Sequence, residues 1–269
     1  MNRYLLIVIL LSGICAAQTL PSAASEVYDQ FKGPFLDSSK WLTTPTCSAT
    51  QFVDTTASIN LLDCAREIQS NKLRLMVRAY GNGLSDAGRQ FGPSELFFVN
   101  PNAINSISAT LRVKGAEAVA CPSNSTPFSS MGQAIFGGNY FNPGTGDPRD
   151  DVAAVLIVEH DPPTPPGVLL LSALVFSPNA FYGFSSLGTI RFEQALTGTV
   201  LWDQPNHQFV FNVIGPNLNS TVAIGYAVSD TMPAAAPIKL LGARAFAPNC
   251  TSQQGSADME VLFDNVRVN

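Results

Sequence analysis

The chain has 269 residues, 46% of them hydrophobic and 13% charged, with a formal net charge of −5 and a pI near 4.9. So little charge with so much apolar content excludes a disordered chain. Its 15 Lys and Arg residues are scattered, with no basic run, which excludes a surface built to follow a phosphate backbone. The length is within the range of one all-β domain with a sizeable core.

The first element is a leader. Arg3 precedes the apolar run LLIVILLSGI (5–14), which is too short to span a bilayer as a helix. CAAQ then offers small residues before a cut, with Ala17 the last residue removed, and SAAS (22–25) is a second possible cut. Residues 1–17 are therefore expected to be a secretory signal peptide, and the mature chain to be secreted or periplasmic. Ile14 before Cys15 disfavours a lipid anchor, and no later segment is long and apolar enough to cross a membrane. Removing the leader leaves Cys47, Cys64, Cys121 and Cys250. An even number in an exported chain favours disulfides over metal thiolates. Three pairings exist. Cys47–Cys64, closing a short loop, and Cys121–Cys250, joining two strand ends, are the expected ones.

Along the mature chain no long period near 3.6 appears. KLRLMVR (72–78) sets Leu73, Leu75 and Val77 against Lys72, Arg74 and Arg78. SISATLRVK (106–114) sets Ile107, Ala109, Leu111 and Val113 against polar neighbours. Period two with one wet face marks antiparallel strands. Further strands are predicted at 95–99, 132–141, 152–160, 167–176, 189–195, 207–215, 221–228, 238–246 and 259–268. Gly- and Pro-rich turns such as NPGTGDPRDD and DPPTPPG separate them. Many strands without helices between them predict an all-β sandwich or barrel, in one domain over 26–269.

Three pieces carry a resemblance: VYDQFKGPFLDSSKW (27–41), QSNKLRLMV (69–77) and the final LFDNVRV (262–268). Their order resembles the concanavalin A-like lectin/glucanase superfamily, which implies a two-sheet antiparallel jelly-roll β-sandwich with the first strand beside the last. Phe31, Leu36 and Trp41 are then expected to pack near Val261, Phe263, Val266 and Val268, with Trp41 as core rather than a sugar platform. The apolar phase of the last strand slips at Asp264–Asn265, which suggests a bulge. The resemblance also implies a structural Ca²⁺ held by Asp264 and the backbone carbonyl of Asn71, with an uncertain contributor near 29–33. A salt-bridged or hydrogen-bonded Asp264 is the alternative.

The glucanase strand E-x-D-x-E has its nearest match in EHDPP (159–163). Glu159 and Asp161 share a face, but Pro163 stands where the third carboxylate belongs, and the prolines end the strand. For the lyase branch of the same fold, QAIFGGNYF offers Gln133 and Tyr140 with no basic partner in phase. His160 and His207 are the only histidines, too few and too far apart for a zinc site. Trp202, Asp203, Asn206 and His207, in LWDQPNHQF, are the candidate ligand-binding cluster, with a structured loop as the plainer reading. Asp147, Asp150 and Asp151 form a solvated acidic turn or a second cation loop. Phe176, Phe181, Tyr182 and Phe184 are expected to be buried, although exposed they would make a binding platform.

The leading functional expectation is non-catalytic recognition of a carbohydrate or other extracellular ligand. A polysaccharide hydrolase or lyase with an unrecognised constellation, and a structural cell-surface or matrix component, are the alternatives. A concave sheet face lined by carboxylates and aromatics favours the first two; an apolar, tightly covered face favours the third.

Overall fold

The computed structural model describes residues 26–42, 61–83, 86, 88–122, 129–251 and 253–269. The leader and Cys47 lie outside them. Alternation builds two eight-stranded sheets, with antiparallel pairing throughout. Sheet A runs β13 (Leu218–Gly225), β12 (Gln208–Gly215), β11 (Leu196–Asp203), β6 (Ser106–Val119), β16 (Ser256–Val268), β4 (Lys72–Tyr80) and β3 (Leu62–Gln69), with β1 (Glu26–Asp29) on β16. Sheet B runs β10 (Ala180–Arg191), β9 (Val168–Ser177), β8 (Val152–His160), β7 (Met131–Asn142), β15 (Lys239–Pro248), β5 (Arg89–Phe98) and β2 (Trp41–Leu42), with β14 (Met232–Pro233) on β7. This is the expected jelly-roll sandwich.

The inward residues of both sheets form one core. Leu73, Leu75 and Val77 of β4 and Ile107, Leu111 and Val113 of β6 join Leu96, Phe136 and Leu156 from sheet B. Each such side chain, fully buried, contributes about 1.5–3 kcal/mol. The layers approach closely enough that a Cβ on Gly198 of β11 would lie 2.8 Å from the Phe136 ring. The QSNK stretch is the β3–β4 turn, with Ser70 (φ 51°) and Asn71 (φ 58°) both left-handed, as a two-residue hairpin whose twist matches its strands requires.

The chain's ends meet as expected, with Glu26 opposite Val268 and Asp29 opposite Val266. Phe31 and Trp41 share the core cluster with Val261, Phe263 and Val266. The strand holding Trp41, however, pairs with β5 in the other sheet. Its ring stacks on Phe31 and packs against Tyr28 and Phe98. Its indole N–H donates to Asp29, 2.7 Å, so the first strand ties the two sheets together.

Two elements differ from the sequence reading. Residues 180–188, outside the predicted strands, join 189–191 as β10 and pair with β9 in one hairpin. Bulges after Phe181 and Ser186 break the alternation there and hide the strand. β11 was not anticipated because Gly198 stands at the centre of its inward face. The Cys121–Cys250 disulfide is present, with α-carbons 5.8 Å apart. Cys64 is disulfide-bonded, and its expected partner falls outside the described residues. Of the N-x-Ser/Thr sequons within the described residues, Asn219 lies exposed on β13, whereas Asn249 is buried and accepts from Asn82 N and Gln90 Nε2.

Candidate ligand-binding site

The outer face of sheet B gathers polar and apolar groups from six strands. Because side chains alternate, the register fixes its rows. In one row Pro93, Arg244, Gln133, Glu159 and Leu170 stand side by side across β5, β15, β7, β8 and β9. The next holds Glu95, Gly242, Ile135, Ile157 and Ser172. The third holds Phe97, Leu240, Gly137, Val155, Leu174 and Phe184. A polar line thus runs beside an apolar band.

The polar line is internally bonded. Glu95, buried at 6% exposure, accepts Arg244 Nε and Nη2 on one oxygen, both at 2.7 Å. Arg66 of β3 donates to the Glu95 backbone carbonyl, 2.9 Å. Gln133 donates to Glu159 at 3.0 Å. Burial pushes the Glu159 carboxyl up, against the Gln133 hydrogen bond, and the charge of Asp161 adds to the rise. Gln133 has a basic neighbour after all: Arg244, from more than a hundred residues away, is its cross-strand partner. Asp161 is not on the strand; its carboxylate accepts from Thr164 in the turn that follows β8. His160 Nδ1 is hydrogen-bonded to the Val168 carbonyl, 3.0 Å.

Beside the line lies a cleft of about 210 Å³, lined by Phe97, Ile135, Val155, Phe176 and Leu240, with Glu95 and Arg244 among its walls. Gly138 helps form it: at φ 150° its backbone passes so near β15 that a Cβ would lie 2.0 Å from the Ile238 carbonyl oxygen. Of the 176–184 aromatics expected to be buried, Phe176 and Tyr182 are partly buried and pack against the core clusters. The expectation fails for Phe181 and Phe184, 68% and 58% exposed. The hairpin points both outward, opposite Phe176 and Leu174, so they extend the apolar band to the sheet edge.

Trp202, Asp203, Asn206 and His207 do come together at the β11–β12 connection. Trp202 stacks on Phe141, 5.4 Å, and its indole N–H donates to Tyr226, 2.7 Å. Asp203 accepts from Asn206 on both oxygens, at 3.0 and 2.8 Å, and from Gln208 at 2.7 Å. His207, left-handed at φ 49°, has Nδ1 3.1 Å from the buried Asp230 carboxylate, which also accepts from Tyr226 at 2.6 Å. Tyr226 and Asp230 escaped sequence reading because they lie beyond the next hairpin. These bonds satisfy one another and hold a structured turn, with the His207 ring its exposed element.

Asp264 sits at the expected bulge, where Asn265 has φ 48° and the register to β6 shifts. One of its oxygens pairs with Lys72 Nζ, 3.3 Å, and the other accepts from Asn265 N, 2.7 Å. Asp29 is committed to Trp41 and Phe31. Among the described residues no three His, Cys, Asp or Glu side chains gather to hold an ion. A cation at Asp264 would have to displace an ammonium, so this donor set does not fit Ca²⁺. In the β7–β8 loop, Asp147 is bonded to Arg149 and Asp150 to Asn179. Asp151 accepts the Ala235 and Ala236 N–H groups and Asn142.

No family model matches the sequence, and no curated protein does. Among solved structures the chain is similar to a GlcNAcα1-4Gal-releasing endo-β-galactosidase from Clostridium perfringens, at 10% identity and TM-score 0.49, covering 91% of this chain but 63% of that one. It is similar to an immunostimulatory antigen and pseudo β-1,3-glucanase of Mycobacterium tuberculosis, at 16% identity and TM-score 0.49, covering 89% and 96% of the two chains. It is also similar to basic winged bean lectin with Tn-antigen, at 13% identity and TM-score 0.31, covering 78% and 93%.

Proposed function

We propose that this is an exported, non-catalytic binding protein for a carbohydrate-bearing ligand that lies across the outer face of sheet B. One observation carries the reading: Arg244 and Gln133 stand between Glu95 and Glu159, and each holds one of the carboxylates. The two glutamates are three strands and one row apart, with α-carbons roughly 15 Å from one another. A glycosidase pair needs carboxyls about 5–9.5 Å apart across one bond. A line of pre-bonded amide, guanidinium and carboxylate groups instead suits successive hydroxyls of an extended ligand, and the adjoining apolar band suits its C–H faces. The Cys121–Cys250 bridge supports an oxidising compartment. Among the described residues no helix is long and apolar enough to cross a membrane.

A glycan array, run alongside reducing-sugar and unsaturated-product assays, tests this. Binding without turnover is expected. Gln133→Ala should weaken the glycan bound by about fivefold or more, the scale of one lost hydrogen bond. Turnover, or binding to no glycan, overturns the proposal.

A further inference from the structure

The cleft at the apolar end of this face is a poor container for a sugar ring. Phe97, Ile135, Val155, Phe176 and Leu240 line it, and a pyranose pushed among them would leave most of its hydroxyls without partners. Its volume, about 210 Å³, exceeds that of an engineered apolar cavity of about 150 Å³ that takes benzene. One ring with a small substituent therefore fits. The polar wall, formed by Glu95, Arg244 and Asn139, includes an acceptor with no partner among the described residues. Glu95 Oε1 takes both Arg244 hydrogen bonds, and Oε2 takes none among the described residues, although the side chain is more than nine-tenths buried. A carboxylate oxygen in this position accepts a hydrogen bond.

We infer that the cleft receives one aromatic ring bearing a hydrogen-bond donor that reaches Glu95 Oε2. This rests on the reading of the outer face as the ligand surface. It adds that the ligand is a conjugate, hydroxyl-rich along the Arg244–Gln133–Glu159 line and aryl at its end. Phe181 and Phe184 continue the band beyond the cleft and offer an exposed landing for such a group.

The test uses the full chain and three probes: p-cresol, 4-methylanisole and D-glucose, titrated by calorimetry and by NMR chemical shifts. p-Cresol should bind saturably. 4-Methylanisole, with the ring but no donor, should bind about tenfold or more weakly, and glucose should not compete. Ala153→Phe projects a ring from β8 into the cleft and should abolish p-cresol binding while the thermal midpoint holds. Val155→Phe is the second variant should the first fail to fold. Glucose competing at equal affinity, no cresol binding, or cresol binding untouched by both variants overturns the inference. Loss of cresol binding with array glycans still bound sinks this inference alone. Cresol binding with no glycan bound sinks the carbohydrate proposal alone.

Discussion

Lys239 is 1% exposed, and among the described residues no carboxylate pairs with it. Its Nζ donates to the carbonyls of Pro101 and Asn139, at 2.8 and 2.9 Å, and lies 4.2 Å from the Tyr140 ring centroid. A neutral amine has two N–H donors, enough for both carbonyls; the third proton of an ammonium meets only the ring face. Burial accordingly lowers the pKa from 10.5 to about 7. The sign for stability follows. Between the two values the unfolded chain holds one more proton than the folded one, so stability rises as pH climbs from about 7 towards 10.5. Below about 7 the cost of the buried charge is fully present. Urea denaturation at pH 6.5 and pH 9.5 should show this gain in the wild type and not in Lys239→Met. That variant should also lose about 1–3 kcal/mol at pH 9.5, because two carbonyls are left without donors. An equal pH response in the two proteins would show that the ammonium stays charged in the fold.

Among the elements, β7 bears the heaviest constraint, since it lies between β15 and β8 and carries both the polar line and the cleft floor. Gly138→Ala puts a methyl into the Ile238 carbonyl at a φ that L-residues rarely adopt. Forcing β15 away should cost roughly 2–4 kcal/mol, read as a lower denaturant midpoint at unchanged m. Gly115→Ala on β6 has nothing within 4 Å of the added methyl and should be close to neutral, which separates the clash from a general intolerance of substitution in strands. The same contrast explains what the sequence disclosed. β4 and β6 were legible because one face is wet and one is dry, so residue type reports orientation directly. β10 and β11 were not, because bulges and an inward glycine interrupt that signal. Glu95, Gln133, Glu159 and Arg244 come from four strands, and nothing near any one of them in sequence points to the others. Alternation says that they share a parity within their strands; only the sheet order makes them neighbours. The Asp264 bulge was legible as a phase slip, but its partner Lys72 was not, since the pairing of β16 with β4 places it there.

At the scale of the molecule, a disulfide bridges the two sheets. Cys121 follows β6 of sheet A and Cys250 follows β15 of sheet B, 129 residues later. The loop so closed contains six of the eight strands of sheet B and three of the eight of sheet A, which makes the constraint on the unfolded chain large. A chain-entropy treatment gives about 4–5 kcal/mol for a loop of this length, and measured bridges commonly give about 2–4. Replacing both cysteines with alanine should therefore lower the unfolding free energy by about 2–4 kcal/mol. It should also raise the denaturant m value, because the released chain exposes more surface when it unfolds. Substituting both partners avoids leaving a lone thiol at the fully buried Cys250. It also separates this bridge from the one at Cys64, which a reductant would break as well. If the sandwich is held by its core alone, the double variant will match the wild type in denaturant. If the bridge restricts the unfolded chain as its span implies, the loss will appear in equilibrium unfolding while the spectrum of the folded state stays the same.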